Sequence, residues 1–460
     1  MNIPRLVLAE EKRAGKISQS ILVASVLKSL GYPLRFFCAG PDEHLVRFLK
    51  LLTEQNVTVL DPFSCGSIRN LKLLFQQAAA PDALNIVFGS LGQRGEGDSF
   101  SVNPLPGEVA RILECPLVMT LYADSSAAVT SRILENVAGL ITSQGVVPSA
   151  VLFSSVLNPR EYQLLEIETG RRSALLCLGF IPKTLEKDAP PLLELCLQDM
   201  AQRAAFPVKA ATAQLLGMVN QVEWNVLWGV AKQSKGCMSM SDSLKGKASG
   251  MRVGIISHPA FDFEGNNAEL LFKYLGCSVQ PVSLDSSVLH TNLNALYVPH
   301  GLGFLCAERL LGKSGIRDWF VSFFLSRKPV FVNGGIAPLL GESFSLPNKK
   351  QYEGLKLFRF RGEFRVPSPE DIRKVEALSF SEKDIMLNQG EKIRGYLPAY
   401  ASVIDPGNSS DALWSVEDPA KGVQIALSGW SRGSSLATEI CLDLWSNMEG
   451  VYRWLMMRKQ

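Results

Sequence analysis

Short apolar runs alternate with segments of helical periodicity along most of this 460-residue chain, and this alternation constrains the fold more than any other feature. One such segment, Ile17–Leu30, carries its apolar residues on one helix face and is followed by Gly31, which favours a helix end. The apolar runs are predicted strands, at 5–9, 34–39, 85–90, 115–123, 139–143, 150–156 and 174–180. Apolar strands separated by helices indicate a parallel sheet covered on both faces.

The alternation stops and restarts around a segment rich in Ser, Gly and Lys, from Lys232 to Gly250. This composition lacks the apolar spacing of a buried element and is typical of a mobile linker. Since a chain of this length exceeds one ordinary core, we predict two α/β domains, 1–231 and 251–460, joined by a linker at 232–250. Each domain is expected to contain a mainly parallel sheet flanked by helices, and the second to end in a helix near 435–445.

Composition excludes several functional classes. The net charge is +3 and 20% of residues are charged, which gives no electrostatic basis for binding nucleic acid or an anionic membrane. No run reaches the roughly 20 apolar residues of a membrane helix, and the apolar N-terminal core is too short for a signal peptide. The nine cysteines show no zinc spacing. We therefore expect a cytoplasmic protein with reduced thiols and no metal, nucleic-acid or membrane partner.

The segment Ala9–Ser18 stands between a predicted strand and a predicted helix, which is where a phosphate-binding loop would lie. Such a loop needs several glycines for close approach of backbone N–H groups, a lysine for the outer phosphates, and a Ser or Thr directly after it for magnesium. The chain has Gly15 and Lys16, but Ile17 follows and Ser18 comes one residue late.

Two acidic residues add to these departures. Glu10 and Glu11 lie in the same segment, where extra negative charge would repel a triphosphate. The pattern therefore favours an ordinary strand-to-helix turn with a solvated lysine over ATP binding in the usual mode.

In order along the chain, the segments resemble the cobyrinic acid a,c-diamide synthase family, which amidates tetrapyrrole side chains using ATP and glutamine. RLVLAEEKRAGKISQS stands at the glycine-rich loop of that family, and LRFFCAGPDEH resembles its FK-x-GPD stretch, with Cys38 in place of lysine. RVGIISHPAFDFEG resembles the opening of the type 3 glutamine amidotransferase domain, and KPVFVNGGIAPLLGE lies at its nucleophile strand. The resemblance implies a P-loop NTPase-like domain followed by a class I glutaminase-like domain.

The same resemblance implies ATP and Mg²⁺ as cofactors. The cofactor-binding candidates are Gly15, Lys16 and Ser18 in the loop segment and Asp42 in the retained GPD stretch. The family carries an acidic residue suited to magnesium at the end of the strand that corresponds to 85–90, where this chain has none. Glu96 and Asp98 in the next loop are possible substitutes, and a solvated glycine-rich loop is the competing interpretation.

The glutaminase half lacks both members of the expected catalytic pair. A Cys–His glutaminase needs a thiolate and an imidazole. An ungapped comparison places Gly334 at the family cysteine and Asn333 at the glutamate before it, whereas a one-residue gap places Asn333 at the cysteine. Neither residue can form a thioester, and no histidine follows His300. We predict no catalytic residue in this half.

Two histidines are expected at neighbouring strand ends, where α/β sheets place ligands. His258 comes at the end of a predicted strand at 251–257, and His300 lies near the GLG turn, at the end of a predicted strand at 294–300. With no third ligand, both are interpreted as ordinary polar residues and not as a metal site.

Three functional hypotheses follow. The first is a degenerate paralogue that binds a tetrapyrrole precursor, a nucleotide or a catalytic homologue. The alternative is an active ATP-dependent synthetase that amidates a tetrapyrrole carboxylate with free ammonia. The third is new chemistry on the old fold, because function depends on sites and not on folds.

Overall fold

A computed structural model describes residues 2–94, 102–123, 126–236, 239–261, 263–284, 292–312, 315–367, 372–404 and 411–457. The chain divides into two compact units. Unit 1 comprises Met1–Pro62 and Ala78–Met240, and unit 2 comprises Phe63–Gln77 and Ser241–Gln460.

Unit 1 is a seven-stranded parallel sheet flanked by helices. Its strands are β1 (Arg5–Arg13), β2 (Leu34–Ala39), β3 (Val57–Leu60), β4 (Leu84–Arg94), β5 (Leu117–Tyr122), β6 (Ala150–Val156) and β7 (Leu176–Pro182), in the order β3-β2-β4-β1-β5-β6-β7. Its helices are α1 (Gln19–Ser29), α2 (Glu43–Thr53), α4 (Leu105–Leu113), α5 (Ser126–Gln144), α6 (Pro159–Arg172), α7 (Leu192–Cys196), α8 (Gln198–Leu216) and α9 (Trp224–Ala231). The central strands are buried on both faces, as their near-continuous apolar sequences predict.

Two predicted elements of unit 1 differ from the structure. The run at 139–143 was expected to be a strand but lies inside α5, where Leu140 is buried and Ile141 is exposed, as on a helix with one apolar face. The first strand was expected to end at Ala9, but β1 continues to Arg13 because it keeps pairing with β4 through Arg13↔Arg94.

Unit 2 contains a ten-stranded sheet and a four-stranded sheet. The strands of the larger sheet are β8 (Arg252–Ser257), β9 (Ser278–Ser283), β10 (Ala295–Val298), β11 (Val330–Asn333), β15 (Ile372–Ser379), β16 (Lys392–Pro398), β18 (Ala412–Asp418), β19 (Val423–Arg432), β20 (Ser435–Thr438) and β21 (Cys441–Leu442). Those of the smaller sheet are β12 (Ser343–Ser345), β13 (Gln351–Glu353), β14 (Arg361–Phe364) and β17 (Ala401–Ile404). The helices are α3 (Ile68–Ala78), almost all of it in this unit, α10 (Asn267–Tyr274), α11 (Ala307–Leu311), α12 (Gly315–Phe324) and α13 (Met448–Met456).

The predicted α/β class is confirmed, but the large sheet of unit 2 differs from the mainly parallel sheet expected there, because an antiparallel half follows the parallel one. The large sheet runs β21-β16-β15-β18-β19-β20-β11-β10-β8-β9. Pairing is parallel from β20 to β9 and antiparallel from β20 to β21. The helix expected near 435–445 is wrong, since that stretch holds β20 and β21, and α13 begins at Met448.

The Ser/Gly/Lys-rich segment contains the division between the units, between Met240 and Ser241. Its second half is attached to unit 2, because the amides of Gly246 and Ala248 donate to the carbonyls of Tyr274 and Leu275 at 3.0 and 2.7 Å. The units also differ from the predicted domains at 63–77, which groups with unit 2.

Candidate functional site

The turn between β1 and α1 in unit 1 uses its backbone donors internally. Lys16 N donates to Arg13 O at 3.2 Å and Ile17 N donates to Lys187 O at 3.0 Å, while Ala189 N donates to Gly15 O at 2.9 Å. Gly15 has φ +68°, in the left-handed region that favours glycine. The turn is therefore closed on the chain itself, and the N–H groups of Lys16 and Ile17 do not face a phosphate.

The carboxylate of Glu10 occupies the N-terminal end of α1. Its Oε2 accepts hydrogen bonds from Ser20 N at 2.7 Å, Ser20 Oγ at 2.6 Å and Ser18 Oγ at 2.8 Å. Glu10 is buried, and burial raises the pKa of its carboxyl group, against the lowering effects of Lys12 and the serine hydrogen bonds. Because helix N-termini attract anions, Glu10 provides an internal anion at the position where a bound phosphate would lie.

The remaining predicted binding residues of unit 1 are paired within the chain. Lys16 Nζ lies 2.7 Å from Asp188 Oδ1 at the surface. Asp42 begins α2, where its Oδ1 accepts from Leu45 N at 2.9 Å, and its Oδ2 pairs with Lys12 Nζ. Burial alone would lower the pKa of Lys12, but the Asp42 carboxylate outweighs it, so the net pKa is raised and the ammonium is retained.

The space beside the start of α1 is also small. A cavity lined by Ile17, Ser18 and Gln19 has a volume of about 10 Å³, which is close to the minimum for one water molecule. A ligand of nucleotide size needs several hundred Å³. This cavity, which described residues line, is therefore too small for a nucleotide.

Unit 2 contains a tight turn directly after β11. The strand ends at Asn333, and Gly334 has φ +72°, which resembles the strained strand-to-turn position of a nucleophile elbow. A Cβ atom at Gly334 would lie 2.1 Å from His300 Nδ1. The turn geometry favours Gly334 over Asn333 as the residue at the family nucleophile position, and His300 fills the space that a side chain there would need.

His300 is fully buried and held at both ring nitrogens. Gly335 N donates to Nδ1 at 3.0 Å, and Nε2 lies 2.7 Å from Tyr400 Oη. Since Nδ1 accepts from a backbone amide, the proton is on Nε2, which donates to Tyr400. This imidazole therefore supports the turn and has no thiol at the turn to activate.

The tight turn at Asn333 and Gly334 is called the elbow below. Asn333 connects it to a buried polar network. Its Nδ2 lies 2.8 Å from Glu264 Oε2, 2.8 Å from Tyr297 Oη and 3.0 Å from Leu442 O, and its Oδ1 accepts from Leu442 N at 2.9 Å. Burial and the Glu264 carboxylate raise the pKa of Tyr297, which stays protonated and donates to Glu264 Oε1 at 2.6 Å. These contacts assign Asn333 a structural role.

A buried carboxyl group follows the strand next to the elbow. Gly334 N donates to Thr438 O at 2.8 Å, and Glu439 comes next in the chain. Glu439 Oε2 accepts from Ser428 Oγ at 2.7 Å, and burial raises the pKa of Glu439 to about 7. The stretch 429–440, where the family histidine was expected, therefore contributes this carboxyl group.

A thiol and an imidazole meet elsewhere in unit 2. Cys306 Sγ lies 3.3 Å from His258 Nδ1, which also accepts from Ala260 N at 3.1 Å. Cys306 is fully buried. No sequence pattern predicts this contact, because the two residues are 48 positions apart. His258 and His300 follow the neighbouring strands β8 and β10, but their polar partners differ.

Two further expectations concern metals. Among the described residues, no group of three or more His, Cys, Asp or Glu side chains is placed to hold a metal ion. Glu96 and Asp98, the possible magnesium ligands, lie outside the described residues.

In the described part of the chain, no helix combines the length and apolar character needed to cross a membrane.

The chain is similar to curated proteins over nearly its full length. It is 23% identical to cobyrinate a,c-diamide synthase of Caldanaerobacter subterraneus subsp. tengcongensis over 455 residues, which covers 98% of this chain and 97% of the relative. It is 20% identical to the enzyme of the same name from Listeria innocua over 449 residues, with 96% of each chain covered. These full-length matches support the cobyrinate a,c-diamide synthase family for this chain. No protein-family model matches it.

Solved structures resemble parts of the chain. A glutamine amidotransferase from Thermotoga maritima covers 46% of the chain at 10% identity, with a TM-score of 0.29. FlhF complexed with GTP and Mg²⁺ covers 42% at 13% identity, with a TM-score of 0.27.

Proposed function

We propose that this chain is a catalytically degenerate member of the cobyrinate a,c-diamide synthase family that acts in corrinoid biosynthesis by binding, or as a partner subunit. The observation that carries the proposal is the contact between Gly334 and His300. Gly334 has no side chain, and the space for one holds the His300 ring. The elbow therefore has neither a nucleophile nor a pocket into which a thioester would fit.

The β1–α1 turn supports the same conclusion for nucleotide use. The family implies ATP and Mg²⁺, for which Gly15, Lys16, Ser18 and Asp42 are the candidate residues. These residues do not fit the cofactors, because Lys16, Ser18 and Asp42 are paired with protein groups and Glu10 fills the anion position at α1. Binding at this turn is proposed to be weak or lost.

A protein that neither hydrolyses glutamine nor uses a nucleotide would act by binding a ligand or a partner protein. We place a tetrapyrrole-type precursor and a catalytic homologue among the proposed partners, in a cytoplasmic setting. The alternative, an active synthetase supplied with free ammonia, requires a working phosphate site, and the Glu10 carboxylate argues against it.

Incubation of the purified chain with glutamine tests the proposal. We expect no release of glutamate above the buffer background, because the elbow lacks a nucleophile and the Cys306 thiol is buried. The measurement is an enzyme-coupled glutamate assay on the natural chain and on Cys306→Ala.

The matched control is Cys277→Ala, which removes another buried thiol. Glutamate release that is lost in Cys306→Ala and kept in Cys277→Ala would mean that the Cys306–His258 pair performs the chemistry. That result would refute the proposed degeneracy.

A further inference from the structure

A groove of about 850 Å³ opens in unit 2. Its walls are the loop before β14, the start of β18 and the end of β19. We call it the Trp430 groove, after the buried indole that lines it. Its volume lies within the range of small-molecule sites, which is several hundred to about 1,000 Å³.

One wall is held in place by backbone hydrogen bonds. Leu357 N and Phe358 N both donate to Leu340 O, at 2.9 and 3.1 Å, and Arg432 Nη1 donates to Leu357 O at 3.0 Å. These contacts fix the loop in the absence of any ligand. Pre-organisation of this kind lowers the entropic cost of binding.

Aromatic rings form the apolar part of the groove. Phe358 and Phe360 stack with centroids 5.5 Å apart and planes at 10°, and Phe360 lies 4.8 Å from Trp430. Phe358 is partly exposed, while Trp430 is 2% exposed. Phe360 is buried as well, so Phe358 is the ring that offers a surface on which a heteroaromatic ring can stack, with Phe360 and Trp430 packed behind it.

The indole of Trp430 has an unsatisfied polar atom. Its Nε1 is buried and has no hydrogen-bond partner among the described residues. A buried donor without an acceptor is rare in folded proteins and calls for a specific explanation, such as a bound ligand or water. Trp430 itself is 2% exposed, so this donor lies beneath the groove surface and not in it.

The charged groups of the groove are mixed but mainly positive. Arg359 and Lys383 line it without an ion pair to any described residue, and Lys356 and Arg432 add two more cations. The carboxylates of Glu342 and Asp411 also line it. Cations suit phosphate oxygens, whereas the carboxylates suit hydroxyl or amino donors on the same ligand.

We infer that the Trp430 groove binds a nucleoside phosphate, with its base on the aromatic rings and its phosphates at Arg359 and Lys383. An anion without a base would not contact the rings or the carboxylates of the groove. An uncharged nucleoside would not contact its cations. This inference goes beyond the proposed function, because its failure would leave the glutamine result unchanged.

Calorimetry with ADP in the absence of magnesium tests the inference. We expect a Kd below about 100 µM, with adenosine and pyrophosphate each binding at least about tenfold more weakly. The double variant Arg359→Ala/Lys383→Ala should raise the Kd for ADP at least about tenfold, since it removes two phosphate contacts. Trp430→Phe should reduce the quenching of tryptophan fluorescence by ADP while keeping an aromatic ring in place.

The control variant Lys247→Ala/Lys421→Ala removes the same charge from two exposed positions outside the groove and should leave the Kd unchanged. Lys16→Ala should also leave it unchanged, which separates the groove from the β1–α1 turn. The inference is overturned if ADP does not bind, if pyrophosphate binds as well as ADP, or if Lys16→Ala abolishes binding while the groove variant does not. Tighter binding of oligoadenylate than of ADP would point to an RNA interface and would overturn it as well.

Discussion

The β1–α1 turn of unit 1 and the elbow of unit 2 are both filled by a side chain of the protein, but the two side chains differ in charge and in function within the fold. At the turn, Glu10 places a carboxylate at a helix N-terminus and takes three hydrogen bonds from Ser18 and Ser20. At the elbow, His300 places an imidazole against a glycine that has no side chain.

Under the proposed function, the difference corresponds to two physical routes by which a binding site closes. The first replaces a ligand charge with a protein charge, so that the helix N-terminus keeps an anion. The second replaces a reactive side chain with a ring that fills its volume, so that packing is kept. Removing Glu10 should reopen an anion site, whereas removing His300 alone should leave a cavity.

Restoring a side chain at the elbow should have the largest effect. Gly334→Cys should lower the free energy of unfolding by about 3 kcal/mol, because a Cβ there would lie 2.1 Å from His300 Nδ1 and φ is +72°. His300→Ala should also destabilise, by about 2 kcal/mol, through a cavity and the lost hydrogen bonds. Urea unfolding monitored by fluorescence provides both values.

The double variant Gly334→Cys/His300→Ala tests the coupling. The thiol would enter the space left by the ring. The double variant should therefore lose about 1 to 2 kcal/mol less free energy of unfolding than the sum of the two single losses. Strict additivity would show that His300 does not fill the elbow in solution.

A pH experiment at the elbow should give an effect of intermediate size. The pKa of Glu439 in the folded protein is about 7, above its ordinary value near 4.3, so the folded state holds a proton that the unfolded state releases. Stability attributable to this group is therefore highest below about pH 4.3 and falls as the pH rises to about 7. The pKa difference of about 2.7 sets an upper bound of about 4 kcal/mol on this loss.

Glu439→Gln should remove this pH dependence and leave a flatter stability profile between about pH 4.3 and 7. The control is Glu382→Gln, at an exposed position. Unfolding midpoints across the pH range provide the comparison, and an unchanged slope in Glu439→Gln would contradict the burial of this carboxyl group.

The smallest effect is expected at the turn. This experiment uses the Arg359→Ala/Lys383→Ala variant as the parent, so that nucleotide binding in the Trp430 groove does not contribute. Adding Glu10→Gly/Glu11→Gly should then make Mg-ATP bind about tenfold more tightly than it does to the parent. The carboxylate of Glu10 would no longer hold the donors of Ser18 and Ser20. Calorimetry provides the measurement, and tight binding by the parent that the change does not improve would contradict the internal-anion interpretation.

Most of the fold could be predicted from the sequence where strands are buried on both faces. The run AVLFSSV, for example, matches β6, Ala150–Val156. The helix predicted near 435–445 was wrong because its apolar residues suit short strands as well as a helix. Only the pairing of β20 with β11 decides between the two. The extension of β1 to Arg13 depends on pairing with β4, which charged residues do not signal.

The sequence predicts that the candidate sites depart from the family pattern, but it does not predict how their side chains are arranged. The sequence indicates that Gly334 cannot act as a nucleophile and that Glu10 is unfavourable for phosphate. It does not show that His300 fills the elbow or that Cys306 meets His258, since both contacts join residues far apart in the chain. Such contacts depend on which strand ends are neighbours in the sheet.

The contact between His300 and the turn glycine also limits the mutational paths open to this protein. A cysteine gained at 334 clashes while His300 is present, and a smaller residue gained at 300 leaves a cavity while Gly334 is present. Each first step toward an open elbow therefore lowers stability without restoring a reactive group, and selection against destabilised proteins removes such intermediates. Under the proposed function, this coupling between positions 300 and 334 would keep the elbow without a reactive side chain while the fold is maintained.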